Sequence, residues 1–228
     1  MGPAQGAAGG ILRMSTVEAH PGLLPGPTEP ALLHAPADLH RGRAPGWWGM
    51  VFLIATEAMF FMLLLGSYWF LRFRHGPVWP PDGIKKPDLF LVSIATPILL
   101  LSSAPMHWAE IGIRKGRVWQ LRLGLFLTFV MGGTFLALTS VEYLEKVKEF
   151  TPTTDVYGTL FFSITGFHAF HVFVGLLMNL WVQYYAGRGR FDAAHYLPAE
   201  VVTMYWHFVD VVWVFIFTTI YLSPHFWP

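Results

Sequence analysis

Five ionisable side chains, Glu57, His168, His171, His207 and Asp210, stand inside long apolar stretches of the chain. An ionisable group in hydrocarbon costs several kcal/mol unless it is paired or neutral, so each of these positions asks for a partner. His168 and His171 are three residues apart, as are His207 and Asp210, and on a helix that spacing puts each pair on one face. The expectation is that these faces meet near mid-membrane and hydrogen-bond one another. Three kinds of chemistry fit. A structural network would fix helix register, because imidazole can donate to a carboxylate and a desolvated carboxyl can stay neutral. A proton-handling site would use the same groups, with Glu57 beside Phe60 and Phe61 as a neutral acid, or alternatively ion-paired with a histidine. A metal or haem site would use the helical His-x-x-His motif with carboxylates, but a di-iron bundle needs several matched sets and the chain offers one. His107 reads as an interfacial residue and not as a ligand.

The elements that must carry these groups are helices. The chain has 228 residues, 54% hydrophobic and 13% charged, about half the charged fraction usual in a soluble domain. Five apolar blocks, at about 48–72, 88–112, 119–141, 157–185 and 199–222, are each near the length needed to cross ~30 Å of hydrocarbon. The fold class is therefore an all-α integral membrane bundle with about five transmembrane helices. Pro97 and Pro105 predict a kink or a shorter ordered span in the second block. Gly124, Gly132, Gly133, Gly158, Gly166 and Gly175 are places for close helix approach. Loops are short, so neighbouring spans run antiparallel and no soluble domain fits between them.

Residues 1–46 hold seven prolines and form a Pro/Gly/Ala-rich extension that cannot sustain a long helix, ahead of a transmembrane domain over 47–228. No cleavable signal segment is expected, so the first span serves as its own insertion signal. With the N-terminus inside, inner segments carry nine Lys and Arg, among them Arg114, Arg122, Arg188 and Arg190, against six in outer segments. That bias favours a cytoplasmic N-terminus and an outer C-terminus. Trp47, Trp48, Trp69, Trp79, Trp119, Trp181 and Trp227 lie near block ends, as an aromatic belt would. The formal net charge of +1 gives no electrostatic case for nucleic acid. The absence of cysteine excludes disulfides, thiolate catalysis, iron–sulfur ligation and Cys-based zinc sites.

Several motifs then resemble one family. Tyr205-Trp206-His207-Phe208-Val209-Asp210-Val211-Val212-Trp213 is similar to the last helix of cytochrome c oxidase subunit III. Thr165-Gly166-Phe167-His168-Ala169-Phe170-His171, the segment 156–162 before it, and the loop Trp79-Pro80-Pro81-Asp82-Gly83-Ile84 match in the same order. Glu57, within Ile54-Ala55-Thr56-Glu57-Ala58-Met59-Phe60-Phe61, resembles the family's membrane-buried glutamate, and Glu142-Tyr143 and Glu200 match further acidic positions. The mitochondrial form has seven spans and this chain lacks the first two, as five-span bacterial forms do. Thr139 stands where the family often has glutamine.

The resemblance implies a subunit with no catalytic residues, metal or cofactor site of its own, with haem and copper held in partner subunits. It implies two helices and three helices in separate groups with a lipid-filled cleft between them. Arg114, Arg122 and Arg188 are then candidates to hold phosphate head groups. The implied partners are oxidase subunits I and II, a small subunit IV or a larger respiratory assembly, and membrane phospholipid. The implied setting is the bacterial inner membrane, and the implied role is support of proton uptake and complex stability in aerobic electron transport. Two other functions remain open: subunit III of a quinol oxidase or a nitric-oxide-reductase-associated homologue, and a stand-alone membrane metalloprotein using His168, His171 and His207.

Overall fold

Each of the five apolar blocks folds as one long helix, because within hydrocarbon a helix is the structure that satisfies every backbone group locally. A computed structural model of the chain describes residues 43–75, 79–81, 89–149, 151–153 and 155–226. Residues 1–42 of the expected N-terminal extension, loop residues 76–78 and 82–88, and Trp227 lie outside the described residues, and the last two positions assigned to that extension, Pro45 and Gly46, already belong to the first helix. The spans are α1 (Pro45–His75), α2 (Phe90–Arg114), α3 (Val118–Glu149), α4 (Val156–Gly187) and α5 (Leu197–Ile216). The last span continues through a π-helical turn, Phe217–Leu222, into the short α6, Ser223–Phe226. All five are long and apolar enough to cross a membrane.

Helix ends carry local signals. Gly116 and Gly189 adopt φ of 71° and 70°, left-handed values that glycine takes without steric cost. Each closes the helix before it: the Arg117 N–H donates to the Gly112 carbonyl (2.9 Å) and the Arg190 N–H to the Tyr185 carbonyl (3.2 Å). Asp155 caps α4 by accepting from the Val156 N–H at 2.6 Å. Between α4 and α5, Asp192 accepts from the backbone N–H groups of Ala194 (2.8 Å) and His195 (2.7 Å). Those donors, with the His195 ring, hold its carboxyl below the usual aspartate range.

α5 is the centre of the bundle. α1 packs against α4 and α5, while α2 packs against α3 and α5. The expected division into a first pair of helices and a separate group of three is therefore corrected. α1 and α2 do not form a group of their own; they lie against different neighbours. The physical reason is close approach. At Gly124 on α3 an added Cβ would stand 2.5 Å from the Pro105 carbonyl oxygen and 2.7 Å from the Ala109 Cβ, so α2 and α3 meet backbone to backbone there. α2 runs through Pro97 and Pro105 as one continuous helix, with no shortened span.

Trp206 pins the centre. Its indole lies between Gly132 of α3 and Gly175 of α4, where added Cβ atoms would stand 2.6 and 2.9 Å from ring carbons. Its Nε1–H donates to Ser102 of α2 at 2.9 Å, and two turns further along the same face Trp213 donates to Thr96 at 3.1 Å. Trp79, expected in the interfacial belt, is instead buried against Tyr68 and Tyr157. Trp48, Trp119 and Trp181 are exposed as a belt requires.

Candidate functional site

The five ionisable residues fall into two separate clusters and one isolated ring. In the first cluster, α1 and α4 bring Glu57 Oε2 to 3.1 Å from His171 Nε2. The other ring nitrogen of His171 lies 2.7 Å from the Phe167 carbonyl oxygen. A carbonyl only accepts, so Nδ1 carries a proton and donates it. Nε2 then meets Glu57 either as a lone pair facing a carboxylic acid or as an N–H facing a carboxylate. A lone pair against a carboxylate would be repulsive, so one proton lies between the two groups in either form. The Glu57 side chain is 35% exposed, at the edge of the packed face and not deep within it as its position in the span suggested.

The second cluster joins α2 and α5. The Ser103 hydroxyl donates to Asp210 Oδ2 and lies 2.9 Å from His207 Nδ1. The second carboxyl oxygen of Asp210 is buried with no hydrogen-bond partner among the described residues. Towards the end of α2, the His107 ring stands 6.3 Å from the His207 ring and 3.9 Å from the Glu110 carboxylate. His107 is 62% exposed.

His168 joins neither cluster. It is 1% exposed, stacks on Trp213 at 4.8 Å, and meets Phe135 and Phe61 edge-on at 6.0 and 6.5 Å. Neither ring nitrogen has a hydrogen-bond partner among the described residues. The expected meeting of both histidine faces in one network is thus corrected. Three residues on a helix differ by ~60° around the axis, which sends His171 to α1 and His168 to α5. The metal alternative suffers from the same divergence, and no group of three or more His, Asp or Glu converges among the described residues.

The remaining candidates lie near helix ends. Glu142 is buried and accepts from the Tyr221 hydroxyl at 3.3 Å, a contact made from within the π-helical turn. Glu200 and Glu110 share Arg114, at 3.2 and 2.7 Å, and Arg43 adds a contact to Glu200 at 3.6 Å. Arg114 also lies over Tyr196. It is engaged within the protein, whereas Arg188 stacks on exposed Tyr184 and Arg122 points outward. Sequence reasoning missed two polar groups. Ser103 is the link between His207 and Asp210. Arg72, counted with an outer loop, is buried and donates to the hydroxyl and carbonyl of Ser223 at 2.5 and 3.2 Å, tying the end of α1 to the last turn.

The chain is similar to known proteins along most of its length. The profile of cytochrome c oxidase subunit III matches residues 43–226. Over 179 residues the chain is 35% identical to cytochrome c oxidase subunit 3 of Thermostichus vulcanus, covering 78% of this chain and 87% of that one. It is 37% identical over 184 residues to the subunit 3 of Scyliorhinus canicula, and 35% identical over 179 residues to that of Drosophila melanogaster; both alignments cover 76% of this chain and 68% of the relative. The match takes in all five spanning helices and both polar clusters, and the chain belongs to the cytochrome c oxidase subunit III family.

Proposed function

We propose that the chain is the non-catalytic accessory subunit of a haem–copper oxidase, held beside the haem- and copper-bearing subunit and subunit II in a bacterial inner membrane. The observation that carries this is the family match, which runs from the start of α1 to the end of the last helix. In this role the chain holds no haem or copper itself. It binds phospholipid, stabilises the complex and assists proton uptake into the catalytic subunit. The divergence of His168 from His171 supports a chain without a resident metal. The apolar outer face of α1, with Phe52, Met59, Met62, Leu63, Phe70 and Phe73 exposed, suits contact with lipid or with another membrane subunit.

Affinity purification of the tagged chain from gently solubilised membranes tests this. Haem- and copper-bearing subunits should co-purify and consume dioxygen with reduced cytochrome c as donor. The chain stripped of them should show neither metal nor a Soret band. Oxidation of quinol and not of cytochrome c by the co-purified complex would instead assign it to a quinol oxidase, and a metal retained by the chain alone would overturn the accessory role.

A further inference from the structure

The cluster between α2 and α5 has the connectivity of a proton wire ending on a buried acid. Asp210 is 6% exposed, and its Oδ1 has no partner among the described residues. Its Oδ2 is bound by Ser103, whose oxygen also faces His207 Nδ1. A hydroxyl has one proton to give and lone pairs to receive another, so this triad has two self-consistent polarities. In one, His207 Nδ1–H donates to Ser103 and Ser103 donates to an Asp210 carboxylate. In the other, an Asp210 carboxylic acid donates to Ser103 and Ser103 donates to His207 Nδ1. His207 Nε2 is the remaining port, and exposed His107 with Glu110 lies on the side where α2 ends and α5 begins.

We infer that Asp210 is a proton-exchanging carboxyl, connected through Ser103, His207 and a hydrated His107 to the aqueous phase at the Arg114 end of α2. A proton from water is taken up at His207 Nε2. The Nδ1–H bond breaks as the Ser103 Oγ accepts that proton, and the Ser103 O–H bond breaks as its own proton passes to Asp210 Oδ2. The histidine ends neutral in its other tautomer, the serine is unchanged, and the carboxylate has become an acid. Release reverses each step. The ring separation of 6.3 Å between His107 and His207 is too long for a direct hydrogen bond, so the path requires a water between them.

Glu110 meets this path at His107, 3.9 Å away, and the remaining titratable neighbours of α5 are held apart from it. From α4, His171 is bound to Glu57 of α1 and His168 is enclosed by Trp213, Phe135 and Phe61. From α2, Glu110 is paired with Arg114, and on α5 itself Glu200 shares that arginine.

Infrared spectroscopy of the assembled protein in lipid discs, on transfer from H2O to D2O, reads the acid directly. A protonated-carboxyl band lost in Asp210→Asn should be present and should shift as deuterium enters. Ser103→Ala should slow that shift by roughly tenfold or more, as loss of a positioned proton carrier does. Ser103→Thr, which keeps the hydroxyl, should preserve the rate, and the Glu57 band should exchange normally throughout. Where Ser103→Ala does not assemble, His207→Phe applies the same test. The inference is overturned if Asp210→Asn removes no carboxyl band at any pH at which the protein is stable. It is equally overturned if Ser103→Ala or His207→Phe exchanges at the wild-type rate. Because the band is read on the chain itself, the result does not depend on which oxidase subunits co-purify.

Discussion

Glu57 and His171 share one proton, and its position decides what a substitution does. Two charges brought out of water cost several kcal/mol each, whereas a neutral acid donating to a neutral imidazole loses little more than one hydrogen bond's worth of solvation. Glu57→Gln should keep assembly, because the amide can still donate to Nε2, while Glu57→Ala should cost about 1–3 kcal/mol in unfolding of the complex by leaving a polar ring nitrogen unpaired. A protonated-carboxyl infrared band that disappears in Glu57→Gln should accompany the wild type; a wild-type spectrum without it places the proton on the histidine. The five acids and imidazoles were legible in the sequence because an ionisable residue in an apolar run stands out. Ser103 was not. Most hydroxyls in these helices bond to their own backbone, as Thr56 does to Leu53 and Ser67 to Leu63, and nothing in the sequence says which one reaches across.

The helix α5 is fitted by shape, and its tolerance to change follows from that. Gly132→Val should destabilise the bundle by about 1–3 kcal/mol, since its side chain would occupy the place of the Trp206 ring. Trp206→Leu in the same chain should recover part of that loss, and unfolding of the single and double variants measures the coupling. Trp206→Ala alone should cost about 3–5 kcal/mol through the cavity it opens. At the turn before α5, the depressed Asp192 carboxyl contributes stability that is present above the ordinary aspartate range and lost as pH falls through its lowered folded value. Amide exchange at Ala194 and His195 should stay protected down to a pH below the usual aspartate range, and Asp192→Ala should remove the protection at every pH. The five spans could be read from the sequence because length and apolarity define a crossing. Their grouping could not, because it rests on which glycine meets which side chain. The π-helical turn that presents Tyr221 to Glu142 has no apolarity signature either.

Across the whole molecule, the described helices make an odd number of crossings, so the two ends of the bundle lie on opposite sides. The excess of Lys and Arg predicts that the α4–α5 turn lies inside, on the same side as the start of α1. A cysteine at exposed Ala193 should resist an impermeant thiol reagent added to intact cells and react once the membrane is opened; labelling before opening would invert the topology. The seat of Trp206 also bears on how the chain is made. Gly132 and Gly175 leave the ribosome before the tryptophan that fills the space between them. Until α5 arrives, the Ser102 and Ser103 hydroxyls and the His171 carbonyl lack the Trp206, His207, Asp210 and Tyr205 side chains that the finished protein sets against them. Closure is thus deferred to the end of synthesis. A product broken off before Leu197 presents an unfilled slot and orphaned polar groups to the lipid, which distinguishes it from a finished chain by the same contacts that hold the finished chain together.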